Sequence, residues 1–463
     1  MDGSNENQLI VYIGQQRKVA TITLGKNSES NIHLSYDEAW VQNGFAISPH
    51  LPLNGDFSTR EVRNFLQNLL PEGTGLEEIT SNTTISKNNV FRLVKVIGEE
   101  TSGALSFKSA ASTLKKTSYR EISEEELNIK LSRFKNNGES VTYWDGKTRL
   151  SVAGVQDKLN ILEMDDKLGF GEGELCSNKI FKFETGKAPF IAVNELFTML
   201  LAKEIQLTNS PVEIRTYGGV RTFVIERFDR RIEQSKQRVA RRHVVDGCQA
   251  TNLPPSYKYE RQHGDDGDGI YYRDGVSFPK LFNVKTSNNQ AYQTVLIKWM
   301  IFNILVKNYD AHGKNISFFV TKQGLELTPF YDLVNIEAII QTINNMHTSK
   351  ANIPSISQSY AMSIGDYEAG NAGNFNNPIT AYMLTDFAYE FGISLARLQL
   401  LISTTISSVL GAISTAKENA LTQQLTDEEI EHIDLCINII NKSATELNNE
   451  VALLPEMKPL FED

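Results

Sequence analysis

The stretch Ile301–Asn335 reads IFNILVKNYDAHGKNISFFVTKQGLELTPFYDLVN. Its first part, apolar up to Asn308, reads as the end of a buried helix. A polar cluster follows, made of Asp310, His312, Lys314 and Asn315. A β-rich run from Ile316 to Val320, a turn at Lys322-Gln323-Gly324 and a short run from Leu325 to Leu327 predict a hairpin. A further carboxylate, Asp332, comes just after Pro329-Phe330-Tyr331. The order is helix, polar loop, hairpin, carboxylate.

That order and spacing carry chemistry. In protein kinases the catalytic-loop Asp is followed five residues later by a metal-binding Asn, and a second metal-binding Asp lies beyond the next hairpin. Here Asp310 and Asn315 are five apart and Asp332 follows one hairpin on. Phosphoryl transfer is mostly positioning and charge neutralisation, so one carboxylate orients the attacking hydroxyl while an amide and a second carboxylate hold Mg²⁺. His312 stands where an imidazole can approach the transferring phosphate. Taken singly, each residue reads as an ordinary turn or cap; the trio together favours a kinase.

Working outward, the run Lys179-Ile180-Phe181-Lys182-Phe183 predicts a strand that offers Lys182 in an apolar setting, and the helix predicted from Ala192 to Ile205 carries Glu195. A kinase needs a strand-borne Lys on the phosphates, often oriented by a helix Glu. Strands at 212–216 and 221–226 end in Glu226-Arg227-Phe228-Asp229-Arg230, so Glu226, Arg227 and Phe228 are candidates for the adenine-holding hinge. Upstream, Arg149 to Leu162 is a small-residue turn feeding a strand. Backbone N–H groups around a glycine can cradle phosphate oxygens, which makes Ala153, Gly154, Val155, Gln156, Asp157 and Lys158 a candidate phosphate loop. The sequence holds no Walker A motif, so a P-loop NTPase is not expected. Gly169-Phe170-Gly171-Glu172-Gly173 looks more glycine-rich, but Asp165, Asp166, Glu172 and Glu174 around it would repel a triphosphate. It reads as the connection of a hairpin.

Composition bounds the rest. A chain of 463 residues, 40% apolar and 22% charged, suggests two or three ordinary globular domains. A formal charge of −10 argues against broad nucleic-acid binding by the chain itself. Cys176, Cys248 and Cys436 are dispersed and odd in number, which favours a reducing cytoplasm over a disulfide framework. The N-terminus has no signal-peptide pattern, and the most apolar run, 295–306, is too short for a bilayer, so no membrane association is expected. Residues 1–110 read as a small β-rich domain, 111–230 as a β-rich lobe with the phosphate loop, and 231–463 as a helical lobe. Within the last, Arg238 to Arg242 reads as a solvated basic face, Gly264 to Gly275 as a loop, and Ser287 as the N-cap of the helix that leads into the polar loop.

With these residues in hand the sequence resembles the HipA family, bacterial serine/threonine-kinase toxins of type II toxin–antitoxin modules. The motifs that carry the resemblance are Ser151–Lys158 (S-x-A-G-x-Q-x-K), Glu226–Asp229 (E-R-F-D), Asp310–Asn315 (D-x-H-x-K-N) and Leu327–Asp332 (L-T-P-x-Y-D), with Asn68–Glu72, Cys248-Gln249 and Lys258-Tyr259-Glu260 besides. The resemblance implies an α+β, two-lobed protein-kinase-like fold with a small β-rich N-terminal domain and a mainly helical C-terminal lobe. It implies ATP and Mg²⁺ as cofactors, Ala153–Lys158 and Lys182 on the phosphates, Glu226 and Phe228 at the adenine, Asp310 as base, and Asn315 and Asp332 on the metal. Ser151 matches the family's autophosphorylated serine, whose modification ejects the phosphate loop. The implied partners are a small helix-turn-helix antitoxin, operator DNA mainly through that antitoxin, and an aminoacyl-tRNA synthetase as substrate. A small-molecule kinase and a catalytically silent nucleotide-binding module are the alternatives.

Overall fold

The structure, a computed structural model, describes residues 5–14, 16–25, 29, 31–98, 100–110, 116–149, 157–186, 188–264, 267–346, 356–365, 378–458 and 461. The chain forms two compact units assembled from non-contiguous pieces. The first takes Met1–Thr185, Arg215–Pro255 and Ser317–Thr328; the second takes Gly186–Ile214, Ser256–Ile316 and Pro329–Asp463.

The first unit is built on sheets. Alternation of apolar and polar residues makes Gln8–Ile13 and Arg17–Leu24 a hairpin whose Leu9, Val11, Val19 and Ile22 are buried. These two lie between Ile32–Tyr36 and Leu105–Ser109 in a four-stranded sheet. Helix Thr59–Gln67 opens with a capping box between Ser58 and Glu61 and turns Val62, Phe65 and Leu66 inward. Helix Val90–Ile97 is capped by Asn89, whose side chain accepts from the backbone of Arg92.

A second sheet of six strands runs in the order Val212–Tyr217, Val220–Glu226, Lys179–Phe183, Lys158–Met164, Lys167–Glu172, Ser118–Ile122. Leu159, Ile161, Phe181, Phe183 and Val224 from its strands meet Leu127 and Leu131 of helix Glu124–Asn137 in one buried cluster. The glycine-rich segment read as a hairpin connection is itself a strand here. The connection lies one step earlier, at Asp165-Asp166, whose φ values of 52° and 59° suit a two-residue hairpin turn. Gly169 and Gly171 serve close approach instead: a Cβ on Gly169 would meet the Arg120 carbonyl oxygen at 2.5 Å, and one on Gly171 would meet the Leu175 Cβ at 2.7 Å.

Nor does the chain turn helical at residue 231. Arg230–Glu233 and Arg238–Arg241 pair as a hairpin, so the basic run is a strand. Val239 is the one buried residue of that strand, with arginines at both ends, which is why no alternation is legible there. Val244–Asp246 then joins Ser317–Thr321 and Gly324–Leu327 in a three-stranded sheet.

The second unit is helical. Ile191–Glu204, Asn289–Leu305, Leu395–Leu421 and Asp427–Ala452 pack on one another, with Ile336–Met346 against the last. Helix Asn289–Leu305 buries Leu296, Trp299, Met300, Ile301, Phe302, Ile304 and Leu305, an apolar surface on more than one face that suits a central position. Its N-cap is Asn288, which accepts from the backbone of Ala291, and not Ser287 one residue earlier. Leu395–Leu421, 27 residues long and with an 18-residue window of mean hydropathy 1.4, is long and apolar enough to cross a membrane. Here its Leu398, Ile402, Ile406 and Val409 are buried in the unit's own helical core.

Candidate functional site

The polar loop belongs to the second unit and is built from the end of helix Asn289–Leu305. Lys307, at φ 50°, turns the chain out of the helix, and the backbone of Asn308 returns to the Asn303 carbonyl at 2.9 Å. The Asn308 side chain then works in three directions. Its oxygen accepts from the Asp310 backbone at 3.2 Å, while its amide donates to Asn303 Oδ1 at 2.9 Å and reaches the Asp332 carbonyl at 3.5 Å.

The loop is closed on itself. His312 N donates to the Asp310 carbonyl at 2.8 Å, Asn315 N to the His312 carbonyl at 2.9 Å, and Asn315 Nδ2 to the Asp310 carbonyl at 2.8 Å. His312, Lys314 and Asn315 are all buried. Tyr331 donates its hydroxyl to the Lys314 carbonyl at 2.7 Å, and Phe330 stacks on Trp299 at 5.2 Å between ring centroids. The turn that carries Asp332 is therefore tied both to the loop and to the helix before it. Asp332 itself is held at φ 53°, a left-handed conformation that Asp tolerates better than most residues. Asp310, Asn315 and Asp332 are thus gathered into one bonded framework.

The chemistry of this donor set fits a hard divalent cation. Because the Asn315 nitrogen is committed to the Asp310 carbonyl, the amide oxygen is the end left to bind, and Asp332 supplies carboxylate oxygens. Among the described residues no three His, Cys, Asp or Glu side chains converge, so any metal site here is of this mixed amide and carboxylate kind.

Sequence reasoning missed Tyr259 as a member of this constellation. Its hydroxyl donates to Asp310 Oδ1, and its ring meets His312 edge-on at 5.0 Å. The only sequence signal was its place in the Lys258-Tyr259-Glu260 motif, since a contact spanning 51 residues leaves no local pattern.

The other candidates belong to the first unit. Ser151, Ala153, Gly154, Val155 and Gln156 lie outside the described residues. Asp157 is at the start of the strand Lys158–Met164, and its carbonyl accepts from Phe183 N at 3.0 Å. Lys158 and Lys182 are direct partners across neighbouring antiparallel strands, so both side chains leave the same face of the sheet. Both are buried, and Lys182 Nζ lies 5.7 Å from the centre of the Phe223 ring. Two lysines side by side on one face are the residue type that can meet phosphate oxygens as point charges. Glu195, buried on helix Ile191–Glu204, belongs to the second unit.

Glu226 ends its strand and is exposed, and Phe228 packs edge-on against Phe319 at 5.9 Å. Arg227 is placed differently from a ligand-facing residue. Its backbone N donates to the Asn178 carbonyl at 2.9 Å, and its guanidinium binds Asp229 through Nε and Nη2, both at 3.0 Å, and Ser177 through Nη1 at 3.0 Å. Asp229 also accepts from Arg230 at 2.6 Å and from Gly103 N at 2.9 Å. Burial alone would raise the Asp229 carboxyl, but the Arg227 and Arg230 charges outweigh it and hold the group well below the usual carboxylate range. Arg227 therefore ties the Glu226–Asp229 segment to Asp229 and Ser177.

Comparison with known proteins divides the chain along the sequence instead, and its C-terminal match takes in pieces of both units. Residues 150–413 match the HipA-like C-terminal domain and residues 9–108 the HipA N-terminal domain. The serine/threonine-protein kinase toxin HipA of Shewanella oneidensis is 42% identical over 305 residues, which is 65% of this chain and 69% of that protein. A solved structure of the Shewanella oneidensis MR-1 HipA, HipB and operator DNA complex matches with a TM-score of 0.83 at 33% identity, covering 97% of this chain and 99% of that one. The α+β fold expected from the sequence, sheets first and helices after, is the fold of these relatives, and the chain belongs to the HipA family.

Proposed function

We propose that this chain is an ATP-dependent serine/threonine protein kinase and the toxin of a toxin–antitoxin module. One observation carries the reading: the Asp310–Asn315 loop and the Asp332 turn are bonded into one framework through Asn308 and Tyr331. In the mechanism, Asp310 accepts the proton of an attacking serine or threonine hydroxyl as the hydroxyl oxygen bonds to the γ-phosphorus and the bond from that phosphorus to the bridging oxygen breaks, so that ADP leaves with the bridging oxygen. Lys158 and Lys182 hold the triphosphate by charge, and Glu226 and Phe228 line the adenine. The Asn315 amide oxygen and the Asp332 carboxylate would hold Mg²⁺, which would neutralise charge on the triphosphate. His312, two residues from Asp310 in the same loop, is the imidazole that would approach the transferring group.

The partners follow from the family. A small helix-turn-helix antitoxin binds this chain and brings it to operator DNA, which suits a chain of net charge −10 that does not itself need to grip nucleic acid. The substrate is a translation protein, an aminoacyl-tRNA synthetase by family precedent. Phosphate on Ser151 would put about −1.5 to −2 of charge next to the phosphate loop and so silence the enzyme. Three buried thiols suit a cytoplasmic location.

The test is phosphate transfer from Mg²⁺-ATP, with nucleotide affinity measured alongside. Asp310→Ala should keep nucleotide affinity and lose turnover by at least about a hundredfold, the usual scale for a general base. Asp332→Ala should lose Mg²⁺-dependent nucleotide affinity as well. Near-normal transfer by Asp310→Ala would refute the assignment.

A further inference from the structure

Resting on that reading, we propose that Tyr259 is the positioning residue of the Asp310 base, fixing its carboxylate so that one oxygen is left to meet the acceptor hydroxyl. The hydroxyl of Tyr259 donates to Asp310 Oδ1, and the ring stands edge-on to His312 at 5.0 Å and 82°. An aspartate on a loop can turn about its side-chain bonds, and a base aimed wrongly by an ångström loses much of its effect. A base oriented by a third group is a recurring solution in enzymes. Here the phenol is that third group.

The backbone around Tyr259 is built to hold it still. On one side, the Lys258 carbonyl accepts from Gly313 N at 2.9 Å, which joins the segment to the catalytic-type loop itself. On the other, Glu260 N donates to the Ala361 carbonyl at 3.0 Å and the Glu260 carbonyl accepts from Gly275 N at 3.0 Å. The Glu260 carboxylate, 2% exposed, accepts from Arg273 at 2.7 Å and from the backbone of Ser363. Gly275 lies so close behind that a Cβ there would meet the Tyr259 carbonyl oxygen at 1.7 Å. A tyrosine has few torsions to fix, and with both flanks anchored its hydroxyl is held at one point.

That anchoring separates an orienting residue from a plug. A phenol mimicking the substrate hydroxyl would have to leave before each turnover, and a segment pinned at Lys258 and Glu260 is poorly suited to leaving. The hydroxyl occupies Oδ1, so the second carboxylate oxygen is the one that would meet the acceptor hydroxyl. Removing the hydroxyl leaves the ring packing on His312 in place and frees the carboxylate to rotate.

Tyr259→Phe tests this, with casein and the chain itself as phosphate acceptors from Mg²⁺-ATP. The expected result is a kcat lower by about tenfold, the scale of one hydrogen bond to a charged group. The KM for ATP, the nucleotide affinity and the melting temperature should stay at wild-type values. An unchanged kcat overturns the proposal, and a raised kcat overturns it in favour of a plug. A fall in kcat matched by loss of nucleotide affinity or of melting temperature reduces Tyr259 to a packing role. Asp310→Ala measured in parallel keeps the two readings apart. If it stays active, the base assignment fails whatever Tyr259→Phe does; if it is inactive while Tyr259→Phe is normal, only the role of Tyr259 fails.

Discussion

Replacing Asp229 by Ala would remove the anion that binds Arg227 and Arg230 at the end of strand Val220–Glu226. Its carboxylate accepts four hydrogen bonds: two from Arg227 at 3.0 Å, one from Arg230 at 2.6 Å, and one from Gly103 N at 2.9 Å. The side chains of Arg227 and Arg230 are 3% and 0% exposed, so the variant leaves two guanidinium groups buried beside each other without the anion they share, with only Glu100 at 4.0 Å from Arg227. Removing one partner from a buried ion pair costs about 3–5 kcal/mol, a large share of the roughly 5–15 kcal/mol that holds a domain together. Arg230 also donates to the carbonyls of Thr101 and Gly103, both at 2.8 Å, so the loop Thr101–Leu105 should loosen with it.

The assay is urea unfolding of wild type and Asp229→Ala, with hydrogen exchange at Gly103 as the local readout. The control is Arg231→Ala, whose partner is Glu233 and whose side chain is 79% exposed; it should cost at most about 1 kcal/mol. The pH dependence has a definite sign. The folded carboxyl titrates below its unfolded value of about 3.9, so its stabilisation is present above roughly pH 4 and lost as pH falls below it. The gap between wild type and variant should therefore shrink between pH 5 and pH 3, taken as round values on either side of about pH 4. A loss under about 1 kcal/mol at neutral pH, no larger than that of an exposed pair, would refute the reasoning.

Two further outcomes are expected. Lys182→Met should weaken Mg²⁺-ATP binding by about tenfold or more, near 1.4 kcal/mol, as measured by calorimetry, since it halves the positive pair formed with Lys158; unchanged affinity would remove that face of the sheet from the nucleotide site. Burial lowers the pKa of His432 to about 4, and Asn194 donates to its Nε2 at 3.0 Å, so the folded chain keeps this ring neutral. The unfolded chain takes up the proton near pH 6.5, so stability should rise with pH between about 4 and 6.5 by on the order of 2–3 kcal/mol. His432→Gln should flatten that slope in melting curves at about pH 4.5 and 7.5, which span most of that window; an equal slope would place the proton elsewhere.

Local pattern was enough to read several elements because their causes are local. Apolar spacing, a turn at Lys322–Gly324 and two short β runs placed the hairpin Ser317–Leu327 within a residue or so. The Lys179–Phe183 strand was legible end to end. The Asp310–Asn315 spacing has a local counterpart too, since the amide of one bonds the carbonyl of the other across a five-residue loop. Other features depended on what lies far away in sequence. Glycines at 169 and 171 look the same in a turn and in a crowded strand; the neighbouring Arg120 and Leu175 decided between them. Arg227 carries the same charge whether it faces a ligand or a buried Asp229, and only burial settles its role. The phenol of Tyr259 meets Asp310 because Gly313, Gly275 and Ala361 pin its flanks. Periodicity and spacing record the forces along the chain. Which buried charge meets which partner depends on tertiary packing, where a charge or a hydroxyl must find its mate among residues that only the fold brings together.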